Sequence, residues 1–315
     1  MFRANGKCRM VINGAVWLSF AFFAITAIST GAHVSAAAQS SNLKAKPKGG
    51  ASVSGKLNAQ QLAREVLANE LRAEQSDNTL WRFSKLTEKD GKKELQDVIE
   101  TKHGEVGRLL AVNGKRLNAE QQSAENARIK KLLADPDAQK QAAQTQKEDD
   151  DKEAKLLEML PDALLYTYAG RKGSVVKLTF KPNPKFHASS HEAEVFHHMA
   201  GIMLLDTSVK RLAQMKGTLT SEVKFGGGIL GHLDKGGTFE VRLGRVARGH
   251  WDMTFLETEL TGKALFFKTI AVREKTVESN YRRVAPDITV QQAAQMLQKG
   301  TAEAATVVSR KTTAN

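Results

Sequence analysis

Four histidines fall close together, at His187, His191, His197 and His198. Imidazole is the commonest protein ligand for zinc, so this is where metal chemistry would first be sought. His191-Glu192 opens an H-E-x-x-H zinc-protease motif, but Val195 stands where the second histidine must be. His191 and His198 can share a helix face, yet they lack a third ligand at a matching interval, and surface histidines are the expectation. The acidic run Glu148, Asp149, Asp150, Asp151 lacks the alternation and glycine of a calcium loop and reads as a solvated face. Gly226-Gly-Gly228-Ile-Leu-Gly231 satisfies the dinucleotide fingerprint. That fingerprint needs a parallel strand before it and a helix after it, whereas strand patterns lie on both sides here, so a glycine corner is expected. No G-x-S-x-G occurs, and no nucleophile triad can be assembled. Glu257 and Glu259 follow Trp251, Met253 and Phe255 on one parity, which suits a strand leaving an apolar interior. No catalytic residue, metal ligand or cofactor is therefore expected. A hydrolase with an unrecognised site is the weakest of three readings.

Compartment comes from the N-terminus. Arg3, Lys7 and Arg9 precede an apolar run from Met10 to Ile28, and Ala36-Ala37-Ala38 ends the stretch. This is the order of a secretory signal peptide over 1–38, with an uncleaved inner-membrane anchor as the alternative. The expected location is periplasmic or secreted. Cys8 is the chain's one cysteine and lies in that leader, so the remainder has no disulfide or thiolate site. The chain carries 47 Lys and Arg against 34 Asp and Glu, a formal charge of +13. Such a balance suits an anionic membrane surface. Nucleic acid is not expected outside the cytoplasm.

Residues 39–56 are rich in Ser, Lys and Gly and read as a flexible segment. Asn58 and Gln61 form a capping box before the stripe Leu62, Val66, Leu67, Leu71. Short strands follow, turning at Asp90-Gly91 and Asn113-Gly114. A charged helical insertion occupies 118–160, broken by Pro161, and hairpins resume at Leu164. A single domain over 57–300 is expected, with a disordered tail at 301–315.

From Val209 to Lys224 the residues Val209, Ala213, Met215, Leu219 and Val223 share one parity, and the other is polar and basic, with Lys210, Gln214, Lys216, Thr218, Thr220, Glu222 and Lys224; Arg211 and Leu212 are the exceptions. Sixteen residues at ~3.4 Å each reach ~54 Å, so such a strand must coil with its sheet. The expected fold is α+β: a curved, mostly antiparallel half-barrel of roughly eleven strands, with a few helices on its concave side. Met215, Leu219, Trp251, Met253, Phe255 and Phe267 are the expected lining of a hollow, and Lys210, Lys216 and Lys224 an expected basic face.

Several short pieces carry a resemblance. Glu100-Thr101, Leu164-Leu165-Tyr166-Thr167-Tyr168, Phe180-Lys-Pro182-Asn183-Pro184-Lys-Phe186, Gly201 to Asp206, Arg211-Leu212 and Val223-Lys-Phe225-Gly226 resemble a family of uncharacterised exported acidobacterial-type proteins. More distantly, the order of strand, Asp turn, Arg-Leu strand and long basic strand is similar to the outer-membrane lipoprotein carriers LolA and LolB. That resemblance implies a curved sheet wrapping apolar helices and holding acyl chains. The first reading is thus a non-enzymatic protein that binds a lipid or acyl-chain ligand in its hollow. The second is an envelope protein-protein interaction module whose hollow is filled by its own Leu62, Val66 and Leu71. The sequence leaves its protein partner unidentified.

Overall fold

The computed structural model describes residues 58–264 and 268–299. The leader, the 39–56 segment, Phe267 and the 301–315 tail lie outside the described residues. The fold is α+β, with a large, curved, open antiparallel sheet. Helix α1 (Ala59–Ser76) leads into β1 (Trp81–Lys89), β2 (Lys92–Thr101), β3 (Gly104–Val112) and the two-residue β4 (Lys115–Arg116). Helices α2 (Ala119–Ala134) and α3 (Pro136–Ala163) follow. Then come β5 (Leu164–Lys172), β6 (Val175–Pro182), the short α4 (His191–Glu194), β7 (Met199–Asp206) and β8 (Arg211–Leu219). The chain continues through β9 (Val223–Phe225), β10 (Gly231–Leu233), β11 (Thr238–Ala247), β12 (His250–Ala264) and β13 (Lys268–Arg283), and α5 spans 290–299. The sheet runs β4-β3-β2-β1-β13-β12-β11-β8-β7-β6-β5, with the β9–β10 pair attached to β12.

Local chemistry explains these elements. Asn58 and Gln61 cap α1 reciprocally, as do Asn118 and Gln121 for α2 and Thr289 and Gln292 for α5. Asp90 and Gly91 both take positive φ, as do Asn113 and Gly114, which is the backbone a two-residue hairpin demands. Between α2 and α3, Asp135 caps the second helix and Pro136 occupies its first turn.

Pro161 does not break the helix. It sits in the last turn of α3, where it removes one hydrogen bond near the end, and the helix runs on to Ala163. The expected pair of strands at 264–272 and 277–284 is one strand, β13. Its charged middle survives because each residue meets a partner across the ladder: Glu274 lies 3.1 Å from Lys89, and Arg273 pairs with Glu259. The long strand expected from Val209 is shorter. Val209 and Lys210 are in the turn before β8, with Val209 exposed and Lys210 at φ 54°. Register slips between Leu204 and Leu205 of β7, leaving Ala213 of β8 as a bulge. That extra residue turns both Leu212 and Met215 inward although their parities differ.

The concave face has two halves. From β5 to β12 it is apolar: Leu178, Met203, Met215, Val241, Leu256 and Met253 pack under Leu62, Val66 and Leu67 of α1 and Leu156, Leu157 and Leu160 of α3. From β12 to β3 the same face turns polar, through Thr258, Glu274, Thr276, Glu278 and Lys85. The opposite face at that end is dry again, where Ile99 and Val106 meet Ile129 of α2 and Ala293, Ala294 and Leu297 of α5. Helix α2 also covers the edge of β3: Glu125 accepts the Leu109 N–H at 2.9 Å, and Arg128 donates to the Gly107 carbonyl at 2.6 Å.

Candidate functional site

Where the two halves of the concave face meet, a cleft opens between the C-terminal end of α1 and strands β11 and β12. It is open to solvent, and its clear interior is about 30 Å³. Leu243, Met253, Trp81 and Trp251 give it apolar surface, and Glu70, Glu74, Asp77, Asp252 and Arg211 surround them. Helical spacing sets Glu70, Glu74 and Asp77 on one side of α1 and its cap.

Two pairings, one buried and one half-buried, hold the rim. Glu70 takes the Arg211 guanidinium at 2.8 Å and the Leu212 N–H at 2.5 Å, joining α1 to the start of β8. Arg211 then lies 5.8 Å above the Trp251 ring. Asp77 accepts from the Thr79 N–H at 2.9 Å and contacts His250 Nδ1 at 2.7 Å. Burial works to raise the Asp77 carboxyl, but these hydrogen bonds outweigh it and hold the group below its ordinary value. His250 and Tyr281 both meet the Trp81 ring edge-on, at 5.4 and 6.0 Å.

Beside the cleft lies a set of buried and half-buried carboxylates. Glu278 on β13 has a side chain only 1 % exposed. Its Oε1 has no hydrogen bond and lies 3.9 Å from Lys85 Nζ, which lies 3.4 Å from Glu105 Oε2. Its Oε2 lies 2.7 Å from the Tyr281 hydroxyl, itself 2.6 Å from the Met253 carbonyl. A carbonyl only accepts, so the single phenol proton goes there, and a proton on Glu278 completes the second contact. Burial, chiefly, pushes the Glu278 carboxyl up to about 8; Lys85 opposes that rise, and Glu105 and Asp252 add to it. From α3, desolvation moves Glu153 well above its ordinary value, with Glu74 and Asp150 adding repulsion, and raises Asp150 to about 6.

Met215 and Met253 share the apolar core, at 3 % and 1 % exposure, so the hollow beneath them is closed by α1. Leu219 belongs to a separate cluster with Val223, Phe225 and Leu233. Trp251 packs beside the main core and Met253 within it, and both line the cleft. Phe255 does not join them. Register slips between Arg242 and Leu243, so Thr254 is an extra residue and Phe255 turns to the convex face, with Arg242 4.2 Å and Lys275 5.3 Å from its ring. The basic face is also divided. Lys210 reaches back from its turn to Glu65 of α1 at 3.3 Å, while Lys216 pairs with Glu240 at 3.2 Å and Lys224 with Glu222 at 3.3 Å. His198 contacts Ser221, and His197 lies against Phe186. Among the described residues no trio of His, Cys, Asp or Glu is placed to hold a metal ion. Gly226–Gly228 forms a turn between antiparallel β9 and β10 rather than the mouth of a helix.

Sequence reasoning missed Glu70, Glu74, Asp77, Asp252 and the buried carboxylates. One signal was there: Val272, Glu274, Thr276 and Glu278 keep a single inward parity along β13. No family model, curated protein or solved structure matches the chain. Among the described residues no helix is long and apolar enough to cross a membrane.

Proposed function

We propose that the protein is a non-enzymatic, exported binding protein that takes a lipid or other amphiphile at its concave face. The cleft carries this reading. Its apolar surface, Leu243 and Met253, is continuous with the main core, its walls are two indoles, and its rim is charged. A ligand with an apolar chain and a polar end matches that division. Each methylene that enters contributes ~0.8 kcal/mol before association costs. Four rim carboxylates against one guanidinium favour a zwitterionic or cationic headgroup over an anionic one.

The assay is direct. Trp17 lies in the leader, and the chain's other two tryptophans, Trp81 and Trp251, both line the cleft. Titration with lysophosphatidylcholine is expected to shift their emission and saturate. Leu243→Gln should weaken the response while leaving the far-ultraviolet circular dichroism unchanged. An emission spectrum indifferent to both zwitterionic and anionic lysolipid would sink the reading.

A protein-interaction role is the second reading. It is favoured by the occupancy of the hollow: Val66 and Leu67 of α1 are fully buried where a ligand chain would otherwise lie.

A further inference from the structure

We propose that the end of the sheet formed by β9, β10, β12 and β13 docks on an anionic lipid surface, inserting Ile229 and setting Lys224, Lys263 and Lys268 against the headgroups. The inference goes beyond the amphiphile reading and does not rest on it. This end is an extension of the sheet. The pairing of β13 with β1 stops at Lys89 and Glu274, and that of β12 with β11 stops at Thr238 and Glu259. Beyond those pairs β12 and β13 run on together to Ala264 and Lys268, and β10 takes the place of β11 beside β12. From Arg273 to Lys268 the projection is ~20 Å at ~3.4 Å per residue. Its inner side is anchored, because Val223, Phe225 and Leu233 pack with Leu219, Val195 and Leu260.

The tip differs from the hairpin turns at Asp90-Gly91 and Asn113-Gly114, which are polar. Here Gly226-Gly227-Gly228-Ile229-Leu230 joins β9 to β10. The three glycines take φ of 56°, 66° and 95°, and the Ile229 and Leu230 N–H groups donate to the Gly226 and Phe225 carbonyls at 3.2 Å each. This closed turn packs Leu230 back onto the inner cluster. Ile229 is left outside, 63 % exposed, more than any other large hydrophobic side chain among the described residues.

Charge surrounds that side chain with one sign. No acidic residue occurs from Val223 to Leu233 or from Leu260 to Val272. Across the ladder His232 pairs with Lys224 on one side and Lys263 on the other, and Lys268 stands one row nearer the end. All three lysines are exposed. Lys224 has Glu222 at 3.3 Å, whereas Lys263 and Lys268 have no ion-pair partner among the described residues. Cations crowded without acids between them repel one another, and a layer of anionic headgroups relieves that repulsion. An apolar tip ringed by lysines fits a membrane interface, with the side chain at the acyl boundary and the ammonium groups at the level of the phosphates. A nucleic acid would use the lysines and leave Ile229 idle. Leu265, Phe266 and Phe267, which join Ala264 to Lys268, lie outside the described residues, and no part of the site rests on them.

Cys8→Ser with Ile229→Cys places one thiol at the tip, where a nitrobenzoxadiazole label replaces an apolar side chain in the whole chain. On vesicles of phosphatidylglycerol mixed with phosphatidylcholine its emission is expected to brighten and shift to the blue, and on phosphatidylcholine alone to stay unchanged. The same label at Arg248→Cys, in the turn at the other end of β12, should remain in water. Each lysine near an anionic surface is worth about 5-fold in partitioning, so Lys263→Gln with Lys268→Gln should weaken vesicle binding about 25-fold. Lys115→Gln with Lys172→Gln, on the outer strands β4 and β5, changes net charge equally and should alter binding by less than about 2-fold. A label at position 229 that stays in water on anionic vesicles would overturn the proposal. So would an equal response on phosphatidylcholine alone, or equal weakening by the two lysine pairs, which would mean attraction through the bulk +13 charge.

Discussion

Glu70→Ala is expected to cost about 3–5 kcal/mol, enough to release α1 from the sheet. Glu70 is 4 % exposed, and its carboxylate takes the side chain of Arg211 and the backbone of Leu212 together. Truncation leaves a largely buried guanidinium without that counter-ion and the Leu212 N–H without its acceptor. Both losses fall at one joint, between the last turns of α1 and the beginning of β8. Glu70→Gln keeps an acceptor for the amide and should lose less. Urea unfolding at an unchanged m-value is the measurement. A loss below about 1 kcal/mol would mean that the pair adds little and that α1 is held by its apolar face of Leu62, Val66 and Leu67.

Glu278→Gln should do the opposite, and only at high pH. In the folded chain the Glu278 carboxyl is raised to about 8, whereas an unfolded glutamate titrates near ~4.3. Between those values the native state holds a proton that the unfolded state has lost. That contribution to stability is fully present below the unfolded pKa and disappears as pH rises through the folded one. Glutamine resembles the protonated acid and removes the dependence. The variant and parent should be equally stable near pH 4, and above about pH 8 the variant should lead by on the order of 5 kcal/mol. Asp150 and Glu153 act with the same sign, so the variant keeps a softened slope rather than none. Parallel stability profiles would show that Glu278 keeps its charge comfortably, through Lys85.

The contrast between these two glutamates shows what a linear reading can reach. Caps and hairpins were legible because their causes are local: Asn58 with Gln61, and Asp90 with Gly91, settle their own backbone. The curved antiparallel sheet was legible from alternation. Side-chain direction was lost wherever a strand carries an extra residue. Ala213 and Thr254 each reverse the parity beyond them, which brings Leu212 inside and sends Phe255 out. Nothing in either residue marks a bulge; pairing with β7 and β11 creates it. The acidic run from Glu148 to Asp151 was read as a solvated face for a similar reason. Helix α3 shows apolar residues mainly at Leu156, Leu157 and Leu160, and its acidic middle looks solvated until the sheet is placed beneath it. The buried carboxylates come from α1, α3, β3 and β13, so no stretch of sequence displays them together.

The binding claim is best tested on the protein as a membrane-containing host produces it. Native mass spectrometry, followed by organic extraction, asks whether the concave face carries a ligand. The amphiphile reading predicts a mass excess that resolves into phospholipid or another acyl species, diminished in Leu243→Gln. A bare chain mass, unchanged after incubation with lysophosphatidylcholine, would contradict it and leave α1 and α3 as the permanent filling of the sheet.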